Sequence, residues 1–187
     1  MQLQTLPCSS LEEFIDALTT ELGELIAFGA GETSRRETKF HALRAPIISL
    51  RQYVERVTTY APCTVECFVV ALVYLNRMSS QKLGFINPMT IHRLFLASLL
   101  LAAKYYDDLY FNNKFYARVG GISCKELNAL ELEFLIRTEF SLGISKEEFL
   151  KFSHVLSSSP CHSKTASDPF FSVSPVTARP FFDTKAS

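Results

Sequence analysis

The chain has 187 residues, of which 48% are hydrophobic, and its 19 basic and 19 acidic side chains leave no net charge. This length supports one domain with a substantial core, and the balanced charge argues against a nucleic-acid partner, which usually requires a basic excess. Five scattered cysteines favour reduced thiols in a cytoplasmic or nuclear protein. We see no signal peptide and no apolar run that is long enough to cross a bilayer, so no membrane partner is predicted.

The first predicted element is an amphipathic helix that begins with the capping-box pattern at residues 10–13. Apolar side chains recur at helical spacing from Leu11 to Ile26, which predicts one buried face. Gly29 and Gly31 end this helix, and a polar, basic linker follows. Residues 1–37 are therefore interpreted as an N-terminal helix and linker that precede the main domain.

Residues 38–156 are predicted to form this domain, a bundle of five helices followed by one short helix. The helices are expected at about residues 47–60, 65–75, 91–106, 112–120 and 123–139, with the short helix from Ser145 to about Leu156. The last two of these begin with capping-box patterns, at residues 123–126 and 145–148. The third of the five is apolar on nearly every side, which indicates a helix surrounded by others. Strand patterns are weak throughout. The predicted fold is therefore all-α, with a bundle around a central third helix.

The composition changes near the C-terminus. Serine and proline replace the periodic apolar residues, and neither a helix nor a strand pattern fits residues 157–187, which we interpret as a flexible, disordered tail. Ser159 and Ser174 each precede a proline, which fits the minimal pattern for proline-directed phosphorylation. This tail could still pack on the domain through two pairs of phenylalanines, Phe170–Phe171 and Phe181–Phe182.

Four segments of the predicted bundle point to a known family. Lys39-Phe-His41 precedes the bundle, Ala102-Ala-Lys104 lies near the end of its third helix, and the segment from Phe115 to Gly121 is followed by Glu126-Leu-Asn-Ala-Leu-Glu-Leu-Glu-Phe-Leu135. Together they resemble the PHO-type cyclins, also called P- or U-type, over roughly residues 38–152. The resemblance implies a single cyclin box, a helical and non-catalytic module that binds and activates a cyclin-dependent protein kinase.

The resemblance also implies which residues meet the kinase. Lys104 and Glu131 match the lysine and glutamate that reach main-chain groups beside the kinase C-helix in this family. Lysine offers only donors and glutamate only acceptors, so the two can pair with exposed C=O and N–H groups. Asp108 is expected to meet the arginine of a PSTAIRE-like C-helix, with the adjacent Asp107 as the alternative. Without the resemblance, Lys104 would be read as a surface lysine and Glu131 as a solvated helix charge.

Other functions fit the sequence less well. A cyclin-fold scaffold without kinase activation is the main alternative, and a DNA-binding transcription-factor module of the same fold is disfavoured by the neutral charge. Too few residues follow the fifth helix in this sequence for a second bundle, so a single cyclin box is expected. The resemblance implies that such single-box cyclins are often tied to nutrient or growth signalling. The isolated chain is expected to be a monomer. Arg77, on the far side of the resemblance motif, is expected to matter neither for kinase binding nor for kinase activation.

An enzyme is the least favoured interpretation. We find no catalytic triad order, no glycine-rich phosphate loop and no His-Glu-x-x-His motif, so no catalytic residue and no cofactor are predicted. Cys63 and Cys67 lie four residues apart and could share a helix face. Zinc needs about four ligands and no second pair has suitable spacing, so buried free thiols are the preferred interpretation and no metal is predicted.

Overall fold

A computed structural model describes residues 8, 10–29, 38–81 and 86–158, and these residues form seven α-helices and no strand. The helices are α1 Leu11–Gly29, α2 Leu50–Tyr60, α3 Val65–Gln81, α4 Ile91–Tyr106, α5 Asn113–Gly120, α6 Cys124–Arg137 and α7 Lys146–Ser158. The prediction of an all-α fold is confirmed. The predicted tail lies outside the described residues, except for the last two residues of α7.

Helix α4 lies at the centre of the bundle, as its uniformly apolar sequence predicts. Every side chain from Leu94 to Ala103 is buried, because α3, α5 and α6 pack around this helix. Helix α2 also contacts it, with the ring centroids of Tyr53 and His92 4.7 Å apart. A helix that is covered on all sides can expose functional groups only near its ends.

Helix α1 shares this hydrophobic core. Phe14, Leu18 and Leu22 are buried at spacings of four residues, and α1 packs against α2, α3 and α7. The ring of Phe14 meets that of Phe68 edge to face, with the centroids 5.8 Å apart. The segment before residue 38 therefore contributes directly to the packing of the bundle that follows it.

The three serine caps that the sequence predicts are present. Each serine hydroxyl accepts a hydrogen bond from the backbone N–H three residues later, at 3.1, 3.0 and 3.2 Å, in the pairs Ser10–Glu13, Ser123–Glu126 and Ser145–Glu148. The Glu148 carboxylate also accepts from the Ser145 N–H at 2.9 Å, which completes a reciprocal capping box. The Glu126 carboxylate instead accepts from Arg93 at 2.7 Å, so it ties α6 to α4.

Helix α3 continues to Gln81, six residues beyond its predicted end, and two other helix ends also differ from the sequence prediction. Helix α2 begins at Leu50 instead of residue 47, because Ser49 and Gln52 form a reciprocal capping box there, and Ile47 is left fully exposed. Helix α6 ends at Arg137 instead of Glu139, since Glu139 and Phe140 adopt left-handed backbone angles with φ of 51° and 57°. Local capping geometry therefore sets both ends, and the apolar periodicity does not.

Gly120, at the end of α5, allows this helix to approach α4 closely. A Cβ atom at residue 120 would lie 2.2 Å from Cδ2 of the buried Leu96. Real Cβ atoms do not come this near to another heavy atom, so a side chain here would force α5 away from α4 or displace Leu96. The position of α5 matters because its first turn carries Asn113.

We expect Gly120→Ala to lower the free energy of unfolding by about 1–3 kcal/mol through overpacking. The matched control is Gly23→Ala in α1, where an added Cβ meets nothing within 4 Å. That replacement should raise the free energy of unfolding by about 0.5–1 kcal/mol, because alanine is the better helix former. Urea denaturation followed by circular dichroism measures both variants. Stabilisation by Gly120→Ala would contradict the close contact.

Candidate functional site

Lys104 and Glu131, the two residues that the resemblance assigns to the kinase, form an ion pair with each other. Lys104 lies in the last turn of α4 and Glu131 in the middle of α6, and the distance from Nζ to Oε1 is 2.5 Å. Their side chains retain 29% and 17% of their surface exposed. Removal of either one leaves the other as a partly buried, unpaired charge, which is costly.

Asn113 holds the second oxygen of Glu131. Its Nδ2 donates to Glu131 Oε2 at 2.7 Å and to Asn128 Oδ1 at 2.8 Å. Three helices, α4, α5 and α6, therefore meet at the Glu131 carboxylate. Sequence reasoning misses this role of Asn113, since the Asn112–Asn113 pair by itself indicates only the start of a helix.

Lys104 keeps unused hydrogen-bonding capacity. A lysine ammonium has three N–H donors, and within the described residues Lys104 donates only to Glu131. Two donors therefore remain for a partner, on a side chain that is partly open to solvent.

The two adjacent aspartates have different environments. The Asp107 carboxylate accepts hydrogen bonds from the Thr64 N–H at 3.0 Å and from the Thr64 hydroxyl at 2.6 Å. It thus caps the N-terminus of α3, where a negative charge is favourable. Asp108 is exposed and makes no side-chain hydrogen bond or ion pair within the part of the chain that is described. The geometry leaves Asp108, of the two, available to a partner.

Exposed apolar and aromatic side chains accompany Lys104 and Glu131 along the chain. One set lies at residues 105–111, after Lys104, and includes Leu109, which is 85% exposed. The second set lies at residues 132–140, after Glu131. Large exposed apolar surface is typical of interaction sites. We use the name α4–α6 face for Lys104, Asp108 and Glu131 together with Tyr105, Leu109, Tyr110, Phe111, Leu132, Ile136 and Phe140.

The turn between α6 and α7 is held against α3 and α4 by two tyrosines. The Tyr106 hydroxyl donates to the Leu142 carbonyl at 3.3 Å and accepts from the Ile144 N–H at 2.9 Å. The Tyr74 hydroxyl donates to the same carbonyl at 2.8 Å. Burial raises the pKa of both hydroxyls, so both remain protonated donors at neutral pH. These bonds position the turn beside Tyr105, whose hydroxyl would lie 4.0 Å from a Cβ at Gly143.

Arg77, for which no role in kinase binding or activation is expected, is tied into the fold by hydrogen bonds of its side chain. Its guanidinium donates to both carboxylate oxygens of Glu148, at 2.7–3.0 Å, and to the Gly143 carbonyl at 3.0 Å. Arg77 thus joins α3 to the start of α7, and its guanidinium lowers the pKa of Glu148. This partner lies 71 positions away in the sequence, so no local pattern could reveal it.

The remaining candidates add no chemistry to the site. Cys67 is buried, and its hydrogen bond to Cys63, together with burial, raises the pKa of the Cys63 thiol. Among the described residues, no group of three or more His, Cys, Asp or Glu side chains could hold a metal ion. No helix of the described segments is long and apolar enough to span a bilayer. Ser159 and Ser174 lie outside the described residues.

Comparison with known proteins identifies the family. The cyclin family model matches residues 12–142, from the first turn of α1 to the turn after α6. The chain belongs to the cyclin family. The matched range includes Lys104, Asp108 and Glu131, and the all-α bundle is therefore a cyclin box.

Curated relatives place this cyclin among the P- and U-type members. It is 42% identical to Cyclin-U4-1 of Arabidopsis thaliana over 144 residues, which cover 75% of this chain and 71% of the relative. It is 46% identical to Cyclin-P3-1 of Oryza sativa subsp. japonica over 112 residues, covering 60% and 48%. Identity to PHO85 cyclin-7 of Saccharomyces cerevisiae is 36% over 129 residues, covering 63% and 45%. The matched region thus spans about half the length of the rice and yeast relatives.

The different roles of the two aspartates are testable by stability alone. Asp107→Ala should lower the free energy of unfolding by about 0.5–2 kcal/mol, because the start of α3 loses its cap. Asp108→Ala, its matched control, should change this free energy by less than about 0.5 kcal/mol, as expected at an exposed site. Chemical denaturation measures both. Equal destabilisation by the two variants would show that Asp108 also holds the fold.

Proposed function

We propose that this cyclin binds and activates a cyclin-dependent protein kinase by docking its α4–α6 face on the C-helix of the kinase. The observation that carries the proposal is the Lys104–Glu131 ion pair, which is partly exposed and accompanied by unburied apolar side chains. A pair that served only to join α4 to α6 would not need this apolar surface. The cyclin acts in this proposal as a regulatory subunit and contributes no catalytic residue.

Each polar group of the face has a fitting counterpart on a kinase. The two remaining N–H donors of Lys104 suit main-chain carbonyl oxygens, and the Glu131 oxygens each retain a lone pair for main-chain N–H groups. The exposed Asp108 carboxylate can accept the paired hydrogen bonds of an arginine from a PSTAIRE-like helix. The neighbouring apolar side chains then exclude water from these contacts, which increases their strength.

Activation follows from the mechanics of the kinase. A protein kinase needs the ion pair between its strand lysine and its C-helix glutamate in order to place the ATP phosphates. A rigid surface that binds the C-helix only in its inward position, where this ion pair forms, shifts the kinase toward its active state. A shift from 1% to 99% active requires about 5.5 kcal/mol of differential binding. The buried, rigid α4 gives the face a fixed geometry on which such a preference can depend.

The decisive experiment removes the charges of the pair while keeping their shape. Lys104→Met and Glu131→Gln should each lower kinase affinity by about 2–5 kcal/mol, which corresponds to roughly thirty-fold to a few thousand-fold. Phosphorylation of a substrate peptide by the kinase should fall in parallel. Calorimetric titration with the purified kinase measures the affinity. Each single variant leaves one charge unpaired, so the double variant should be the more stable one and should still fail to bind.

Two control variants match these substitutions in chemistry. Lys125→Met changes an exposed lysine of α6 that has no side-chain partner within the described residues, and Glu12→Gln changes a side chain of α1 that is 77% exposed. Both should leave affinity and activation unchanged. Normal activation by the folded double variant would overturn the proposal. Normal binding of wild-type protein without activation would indicate the scaffold function instead.

A further inference from the structure

A groove of about 350 Å³ lies between α1, α3 and α7, on helices that do not carry the α4–α6 face. Its apolar lining comes from Leu25 and Phe28 of α1, Leu72 of α3 and Phe152 of α7. Phe28 is 63% exposed, which is unusual for a phenylalanine in a helix that otherwise packs into the core. The groove therefore offers apolar surface that the described residues leave uncovered.

The polar lining of this groove is acidic. Glu21 and Glu24 of α1 lie along it, no basic side chain of the described chain lines it, and Asn76 of α3 adds an amide. Glu24 and Asn76 make no side-chain hydrogen bond or ion pair within the described residues. An occupant should therefore carry a positive charge next to bulky apolar side chains. It should also present backbone groups that can form hydrogen bonds with the Asn76 amide.

The C-terminal segment of this same chain has the required composition. Arg179-Pro-Phe-Phe182 places a guanidinium two residues before the first of two adjacent phenylalanines. The proline favours an extended conformation at Arg179, which suits a peptide that lies in a groove. We propose that this segment docks in the groove between α1, α3 and α7, with Arg179 at the Glu24 carboxylate and the Phe181–Phe182 pair on the apolar lining.

The chain between α7 and Arg179 is long enough for this segment to reach the groove of its own molecule. Helix α7 ends at Ser158, six residues and roughly 9 Å beyond Phe152 in the groove wall. Twenty residues separate Ser158 from Arg179, and a flexible chain of that length has an average end-to-end distance of about 25 Å. The tethered segment therefore has an effective concentration in the millimolar range, so a weak contact is enough.

The sequence contains a near-copy of this motif with the opposite charge. Asp168-Pro-Phe-Phe171 has the same proline and phenylalanine pair, but an aspartate replaces the arginine. An acidic groove should repel this copy and accept the one that begins with Arg179. The two copies thus provide a matched comparison that separates charge-selected docking from nonspecific apolar collapse.

The test compares the two copies in the full chain by amide NMR. Replacing Phe181 and Phe182 by alanine should shift the amide signals of Leu25, Phe28, Asn76 and Phe152. Replacing Phe170 and Phe171 by alanine should leave those four signals in place. Equal shifts from both variants, or shifts from neither, would overturn the proposal.

Charge reversal tests the ion pair directly. Glu24→Lys should shift the amide signals of Asn76 and Phe152, which lie on other helices than the substitution, as loss of the Phe181–Phe182 pair does, and adding Arg179→Glu to that variant should restore the wild-type positions of these two signals. Failure of the second substitution to restore them would refute the Arg179–Glu24 contact. Shifts that grow with protein concentration would show that the tail of a second copy fills the groove, which contradicts docking within one chain.

Discussion

Burial of α4 on every side is the constraint on which the rest of the structure depends. Because the side chains from Leu94 to Ala103 fill the core, α4 can reach the surface only near its termini. Its C-terminal end is where Lys104 joins α6, Asp107 caps α3, and Tyr106 holds the turn before α7. The same few residues that complete the packing of the bundle therefore also position the groups that we assign to the kinase.

The two surfaces that we propose as binding sites lie on different helices. The α4–α6 face combines an ion pair, an exposed aspartate and apolar side chains, and its geometry is fixed by the deeply buried helix α4. The groove between α1, α3 and α7 is acidic and is built partly from α1. A rigid face suits a partner whose conformation must be selected, whereas a narrow apolar lining with acidic side chains suits a short basic and apolar segment.

Sequence reasoning succeeded where the signal is local. The apolar run of α4 predicted a central helix, and serine caps predicted the starts of three helices, because capping depends on residues three positions apart. It failed where the partner is distant: Asp107 binds Thr64 across 43 positions, and Arg77 binds Glu148 across 71. The family resemblance assigned Lys104 and Glu131, but the Asn113 contact that holds the carboxylate became visible only in three dimensions.

The central claim is that the α4–α6 face meets the kinase, and amide hydrogen exchange of the complex tests it most directly. Binding should slow exchange in residues 104–113 and 131–142, since these segments carry the face. Exchange in α1 and at the α1–α3–α7 groove should be the same in the free and bound cyclin. Protection confined to α1, α3 and α7 would contradict the account and place the kinase at the α1–α3–α7 groove instead.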